Sequence, residues 1–331
     1  MSAVATTIRP DVLADAARFV TTEYASLTAA GAPVTWPVTP YAGGRGTLDV
    51  STGLTYPLKA ERARRDPRVA LSFSYPVGSG LDDPAVVVVQ GLATVRDADL
   101  VATSARYLAE ATARFPEAMG KVPGFVMARM AWYWTRVWVE VTPTRVRWWP
   151  GGDLDRSPVE WRAPEGTVAP PSDPAPSGRS SGSWRRADGS SWAARADGAV
   201  ERLGLPVLTA VDADGWPLPV RVRAARPVGD GFVVRPPAGV EVRPGPAFLS
   251  FHSHGEVFDG QENVGLAGVA TVVGDEVHVR VDRALADFGV PRNPVRNAWN
   301  MLRAGRQLTP RLAVEAARRG QSVPNWTHVR P

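Results

Sequence analysis

The chain has 331 residues and 44% hydrophobic content, enough for two domains with sizeable cores. It contains no cysteine, which excludes disulfides, thiolate catalysis and cysteine metal sites. The net charge of +5 is small for this length, and the arginines are interleaved with acidic residues, so we expect no nucleic-acid partner. Residues 1–10 lack a secretion signal, and no apolar run approaches the roughly 18 residues of a membrane span. We therefore expect a soluble, cytoplasmic protein without a membrane partner.

The first 150 residues alternate short apolar strands with turn signals and helical segments. Apolar residues at helical spacing predict helices over residues 10–20, 99–115 and 124–134. Period-two patterns predict strands over residues 23–29, 34–39, 47–52 and 86–95, and a further strand ending at Phe73. Residues 137–141 and 145–149 are predicted to form a hairpin about Thr142-Pro143-Thr144 that closes a first barrel.

The strand over residues 47–52 has chemistry suited to a phosphate. It ends in the hydroxyls of Ser51 and Thr52, and a short loop leads from there to Lys59. Lys59 and Lys121 are the only lysines in a chain whose Lys and Arg total 38. Hydroxyls can bond phosphate oxygens, and an ammonium group supplies a compact counter-charge. Taken alone, these residues also fit an ordinary surface loop.

The order of elements between Glu23 and Val95 resembles that of a known family. Leu48-Asp49-Val50-Ser51-Thr52 is followed by Lys59, then by a run from Arg65 to Leu71 and by Val86-Val87-Val88-Val89-Gln90-Gly91-Leu92-Ala93. This pattern is similar to the pyridoxamine 5′-phosphate oxidase-like split β-barrel family, whose members bind FMN, the deazaflavin coenzyme or, in some branches, haem. The resemblance implies that Lys59, Ser51 and Thr52 hold the cofactor phosphate, with Thr39 and Gln90 near the ring.

The second half of the chain repeats features of the first. Leu71-Ser72-Phe73-Ser74 is echoed by Leu249-Ser250-Phe251-His252, and Gly91-Leu92-Ala93-Thr94-Val95 by Gly268-Val269-Ala270-Thr271-Val272. A third echo relates Leu27-Thr28-Ala29, Gly31 and Trp36-Pro37-Val38 to Leu208-Thr209-Ala210, Gly215-Trp216-Pro217 and Val220. Because the echoes keep their order, they predict a mainly β fold of two tandem split β-barrels with flanking helices.

The predicted domains follow from this repeat. Residues 1–150 form the first barrel with the phosphate motif, and residues 151–202 form a linker rich in proline, serine and glycine. Residues 203–290 form a second, degenerate barrel, because the segment from Arg235 to Pro244 is shorter and has no lysine. Residues 291–331 form a tail with two short helices, around 294–304 and 310–319.

Split barrels of this family generally work as homodimers with cofactor sites between two barrels. The resemblance therefore implies that a tandem chain makes that dimer within itself and binds one cofactor. A monomer with an internal pseudo-dimer or a homodimer both fit the sequence, and the expected partner is a small-molecule substrate.

Two histidines on the predicted strand near residue 252 are further candidates. His252 and His254 point the same way on a strand and, with Gln261, could form a wall of the substrate pocket. A metal shared with Glu256, haem ligation, or a place at an ordinary strand end are the other interpretations. We expect no metal site, because no third ligand has diagnostic spacing.

The leading function is an oxidoreductase that exchanges hydride between FMN or the deazaflavin coenzyme and an organic substrate. No catalytic side chain can be assigned, so the cofactor would supply the chemistry. The alternatives are a non-catalytic protein that binds a cofactor or haem, and a scaffold without cofactor.

Overall fold

A computed structural model describes residues 10–116, 122–182, 191–256, 260–285, 288–289 and 294–330. The first half forms one curled antiparallel sheet in the order β2-β1-β5-β6-β7-β4-β3, with β8 paired to β7. Its strands are β1 (Thr22–Leu27), β2 (Pro33–Val38), β3 (Pro40–Ala42), β4 (Leu48–Gly53), β5 (Arg68–Phe73), β6 (Val86–Arg96), β7 (Arg136–Trp149) and β8 (Val159–Arg162).

The second half forms another antiparallel sheet with the equivalent order β10-β9-β13-β14-β15-β12-β11, and β16 pairs with β14. Its strands are β9 (Val207–Val211), β10 (Pro217–Arg221), β11 (Ala224–Val228), β12 (Gly231–Arg235), β13 (Gly245–Ser253), β14 (Glu262–Val273), β15 (Glu276–Ala284) and β16 (Phe288–Gly289). Since the two sheets share one strand order, the predicted mainly β fold of two tandem split β-barrels is confirmed.

Helices flank the two sheets. They are α1 (Pro10–Ala16), α2 (Leu58–Arg65), α3 (Leu100–Arg114), α4 (Gly124–Met127), α5 (Ala131–Trp134), α6 (Trp192–Ala196), α7 (Ala199–Leu203), α8 (Pro294–Arg318) and α9 (Trp326–Val329), with 3₁₀ turns at Gly44–Gly46 and Pro150–Gly152. In the described part of the chain, none of these helices combines the length and the apolarity that a bilayer crossing needs.

Two glycines show why the repeat is visible in the sequence. Gly91 and Gly268 occupy the same place in the two sheets, at a β-bulge where the register shifts. A Cβ atom on Gly91 would lie 2.5 Å from the carbonyl oxygen of Thr142, and one on Gly268 would lie 2.0 Å from that of Arg280. Only glycine fits such a close backbone approach. The bulge therefore requires the same residue in both copies.

The echo around Gly31 and Gly215 is real but differs in register. Both glycines lie in turns with positive φ, as the repeat requires. The strand pairing, however, makes Trp36 the counterpart of Val220 and not of Trp216. The match between the Trp-Pro pairs at Trp36 and Trp216 is therefore shifted by four residues from the structural equivalence. An apolar pattern shows which side chains of a strand face inward, but it does not show which residues of two strands are equivalent.

Three predicted elements were wrong in form. Residues 136–149 are one strand, β7, and not a hairpin: Pro143 lies opposite Gly91 at the bulge, where a missing N–H is tolerated. The predicted helix over residues 124–134 is two short helices, α4 and α5. The two predicted tail helices are one helix, α8, which continues through Pro310. Leu308 and Leu312, on either side of that proline, are both buried in the first core.

The two barrels pack against each other through equivalent strands. β2 contacts β13 in the same way that β10 contacts β5, which is the arrangement of a two-fold symmetric dimer. The hydroxyls of Thr35 and Thr209 are hydrogen-bonded across this interface at 2.6 Å. The two barrels thus contact each other through equivalent strands, related by a pseudo-two-fold axis.

The segment between the barrels is fixed to its surroundings. The carboxylate of Asp173 accepts hydrogen bonds from the backbone N–H groups of Asp97 and Ala98, each at 2.8 Å. Ser177 donates to the carbonyl of Arg318 through both its backbone and its hydroxyl. The predicted linker over residues 151–202 is irregular only in part. It contains β8, which pairs with β7, and it also contains α6 and the start of α7, which pack on the second core. The residues around Asp173 and Ser177 pack on the first barrel and on α8.

Candidate cofactor phosphate site

Strand β4 and helix α2 bring the predicted phosphate residues to one end of the first barrel. Ser51 is half-buried near the end of β4, and the buried hydroxyl of Thr52 donates to the carbonyl of Tyr56 at 3.3 Å. Helix α2 begins at Leu58 without a side-chain cap. Its first-turn N–H groups therefore lack side-chain acceptors, an arrangement that favours a bound anion.

Helix α2 has three distinct faces. Ala60 and Ala63 are buried in the first core and fix the helix on the barrel. Glu61 and Arg64 lie on a face where both have charged partners, Arg318 and Asp97. The remaining face presents Lys59 together with the side chain one turn later, Arg62.

Lys59 is a half-buried cation without an anionic partner. Among the described residues no acceptor lies within hydrogen-bond distance of its Nζ, which lies 5.6 Å from the centre of the Trp36 ring. Burial, together with the positive charges of Arg136 and Arg62, lowers the pKa of Lys59 to about 8. The ammonium form is thus destabilised by its surroundings in the cofactor-free protein.

Arg136, at the start of β7, is the third cation of the site. Its guanidinium lies 4.2 Å from the Tyr107 ring centre and 5.0 Å from that of Tyr133. One amino group donates to the Tyr107 hydroxyl at 3.0 Å, but the buried Nε has no partner. The pairing of β4 with β7 sets Arg136 directly opposite Gly53, beside the hydroxyls that end β4.

We call Lys59, Arg62 and Arg136 the cationic cluster. In the part of the chain that the structure describes, none of the three forms an ion pair with a carboxylate, although most other arginines near them do. Burial lowers the pKa of Arg62, and the neighbouring charge of Arg65 lowers it further, while the interaction with Tyr24 opposes this. The buried Tyr24 hydroxyl also lacks a partner. Three uncompensated cations beside unused donors fit a phosphate group.

The described residues of the second barrel do not form a corresponding site. Its register places Arg235-Pro236-Pro237 where the first barrel has Ser51-Thr52-Gly53, and residues 236–244 form no helix. The prolines have no N–H to donate. Residues 154–158 also cover this loop: the N–H of Ala238 donates to the Leu154 carbonyl at 2.9 Å, and a Cβ on Gly239 would lie 3.0 Å from the Ser157 hydroxyl.

Thr39 and Gln90, the two residues predicted to lie near the cofactor ring, are not part of the cationic cluster. Thr39 is half-buried in the bend between β2 and β3. Gln90 is buried, and its amide donates across the barrel interface to Asp212 at 2.8 Å and to the Pro217 carbonyl at 3.1 Å. Its donor is therefore engaged between the barrels, and contact of either residue with a ring stays a prediction.

The two candidate histidines belong to a buried network between the barrels. His252 is hydrogen-bonded to Glu23 at 2.6 Å, and Arg221 donates to the same carboxylate at 2.9 Å. Ser74 donates to Glu23 at 3.0 Å and accepts from Arg221 at 3.1 Å. Ser74 and His252 are equivalent positions of the two barrels, so this network lies on the pseudo-two-fold axis. We call Glu23, Ser74, Arg221 and His252 the axial network.

His254 and Gln261 lie beside it. His254 is bonded to the Thr21 hydroxyl at 3.0 Å and to the Gly255 carbonyl at 2.8 Å. Gln261 is only 6% exposed. The described residues contain no group of three side chains placed to hold a metal ion. The suggested role of His252, His254 and Gln261 in a substrate wall stays a prediction. The observed partners of His252 and His254 across the barrel interface are Glu23 and Thr21.

The sequence did not identify two members of the cluster or three of the axial network. Arg62 could have been found from its helical spacing to Lys59, since residues three apart share a helix face. Arg136, Glu23, Ser74 and Arg221 gave no local signal of such a role. Their roles depend on strand register and on contact between the barrels.

Fold and site together define a tandem split β-barrel protein whose first barrel carries the cationic cluster. No protein-family model matches the chain, and no curated protein is significantly similar to it. Several solved structures are similar in fold. A pyridoxamine 5′-phosphate oxidase-related, FMN-binding protein from Nostoc punctiforme is 13% identical, over 45% of this chain and 87% of that one, with a TM-score of 0.30.

Two further structures give the same picture. A conserved hypothetical protein from Mycobacterium tuberculosis is 20% identical, over 51% of this chain and 97% of that one, with a TM-score of 0.34. An F420 reductase is 18% identical, over 43% of this chain and 97% of that one, with a TM-score of 0.31. Each match spans about half of this chain.

Proposed function

We propose that the chain binds one flavin-type cofactor, FMN or the deazaflavin coenzyme, with the cofactor phosphate on the cationic cluster. The observation that supports this most is the cluster itself, three cations without carboxylate partners beside the hydroxyls of Ser51 and Thr52. Cations that are buried without counter-charge cost folding energy, so their presence indicates an anionic ligand. The second barrel has no such cluster, which supports one cofactor per chain.

The residues of the site divide into two tasks. Lys59 and Arg62 neutralise the phosphate charge from α2, while Arg136 presents its unused Nε from β7. Ser51 and the first-turn N–H groups of α2 supply further donors.

A bound flavin or deazaflavin supplies hydride transfer, and we propose a small organic molecule as the substrate of an oxidoreductase. The internal pseudo-dimer supports a monomer as the working unit.

The test is a titration of the purified protein with FMN and with riboflavin, which lacks the phosphate, and with the deazaflavin coenzyme. We expect saturation at one phosphate-bearing cofactor per chain and much weaker binding of riboflavin. Binding of two cofactors per chain, or equal affinity for FMN and riboflavin, would contradict the proposal. Oxidation of the reduced cofactor by added acceptors then separates an enzyme from a protein that only binds the cofactor.

The titration of Lys59 predicts how FMN affinity depends on pH. With a pKa of about 8, Lys59 is protonated below that pH, and only the ammonium form attracts phosphate. FMN affinity should fall to about half between pH 7 and 8 and then decrease by up to roughly tenfold for each pH unit above 8. Riboflavin affinity should not change over this range, and calorimetry of both ligands measures the difference. Parallel pH profiles for the two ligands would exclude Lys59 from phosphate binding.

A further inference from the structure

Helix α8 contacts the phosphate-site helix through buried ion pairs, although it contributes no residue to the cationic cluster. Arg318 lies 3.3 Å from Glu61 of α2, and Arg319 lies 3.6 Å from the same carboxylate. Arg318 and Arg319 are 10% and 3% exposed. Charged pairs that are this well shielded hold a defined geometry more strongly than pairs on the surface.

Arg318 and Arg319 are themselves held in place on every side. Both bond the fully buried carboxylate of Glu315, at 2.6 Å and 3.1 Å. Arg319 donates to Asp97 at 2.8 Å, and Asp97 also accepts from Arg64 of α2 at 2.7 Å. The contact between α8 and α2 is therefore part of a closed network and not a single mobile pair.

A second contact from α8 reaches the loop that precedes α2. Arg311 donates through Nε to the carbonyl of Thr55 at 2.8 Å. Thr55 lies between Thr52, at the end of β4, and Leu58, where α2 begins. Helix α8 thus holds both the entry loop and the middle of α2, while Lys59 and Arg62 project from the other face of the same two helical turns.

We propose that α8 positions the phosphate site: Glu61, hydrogen-bonded to Arg318 and ion-paired with Arg319, sets the orientation of α2 in which Lys59 and Arg62 meet the phosphate. This inference rests on the proposed function. Its consequence is a coupling between a helix at the end of the chain and cofactor affinity. Glu61 is a positioning residue, because it acts through α2 and does not contact the phosphate.

The test is Glu61→Ala, with FMN and riboflavin affinities measured side by side. Loss of positioning should weaken FMN binding about tenfold, within the usual range for coupling between sites, and leave riboflavin binding unchanged. Electrostatics alone predicts the opposite sign, because removing a negative charge near the cluster favours an anion. FMN affinity equal to or higher than that of the wild type would therefore overturn the proposal.

Two variants control for other causes. Asp66→Ala removes a carboxylate directly after α2 that is paired with Arg68 and has no contact with α8, so FMN affinity should stay equal or rise slightly. Glu61→Gln keeps an oxygen at Arg318 and should restore FMN affinity to within about threefold of the wild type. A general loss of folding would lower riboflavin binding and the thermal midpoint as well. If Lys59→Met also leaves FMN affinity unchanged, the proposed function fails and not only the positioning role.

Discussion

Replacing Lys59 with methionine should weaken FMN binding by about 10- to 100-fold, the range expected for one lost hydrogen bond between charged groups. Methionine keeps an unbranched side chain over Trp36 but removes the ammonium group. Riboflavin affinity should stay the same, because the loss concerns the phosphate alone. Titration of both ligands by fluorescence measures the two affinities, and equal FMN binding by variant and wild type would remove Lys59 from the site.

The same variant should make the cofactor-free protein more stable. The lowered pKa of Lys59 shows that the fold disfavours its ammonium form, so removing the charge should raise the free energy of unfolding by about 1 kcal/mol after allowance for partial exposure. A substitution that improves stability and harms binding identifies a residue kept for function.

Arg65→Met is the matched control for the binding measurement. Arg65 lies on the same helix and donates to the Leu27 carbonyl, outside the cluster. Its FMN affinity should change less than about threefold.

Replacing Glu23 with glutamine should destabilise the protein by about 3–5 kcal/mol, because it leaves the buried guanidinium of Arg221 without a counter-charge. The amide has the shape of the carboxylate and keeps one oxygen for His252, so the change isolates the charge. Urea unfolding measures the loss. Glu276→Gln is the control, since Glu276 pairs with arginines at an exposed position and should change stability by less than about 1 kcal/mol. Equal effects of the two variants would show that the axial network does not stabilise the barrel interface.

The pH dependence of unfolding gives an independent signature of Glu23. Burial alone would raise the pKa of this carboxyl, but its hydrogen bond to His252 and the charge of Arg221 outweigh burial and lower it below the usual 4.5. The unfolded chain therefore binds this proton first as the pH falls. The stabilisation by Glu23 is complete above about pH 4.5 and is lost as the pH decreases through the lower folded value. In Glu23→Gln this component of the acid dependence should be absent.

The sequence by itself determined that the chain contains a repeat. It also located the segment of the second copy in which the lysine of the phosphate motif has no counterpart. Gly91 and Gly268 are required by a bulge that each barrel forms locally, and period-two apolar patterns located most strands. The hydroxyls of Ser51 and Thr52, the position of Lys59 shortly after them and the absence of a lysine between Arg235 and Pro244 are also local facts. They could be read directly because each depends on neighbouring residues in the chain.

Only the tertiary structure decided which distant groups meet. Arg136 joins Lys59 because β7 pairs with β4, and Glu23 meets Arg221 because two barrels pack about a pseudo-two-fold axis. Pro143 and Pro310 read locally as breaks, yet a bulge opposite Gly91 and a buried face on both sides of Pro310 keep β7 and α8 continuous. Strand register, barrel packing and burial are set by contacts between residues far apart in the chain, and local sequence patterns do not encode them.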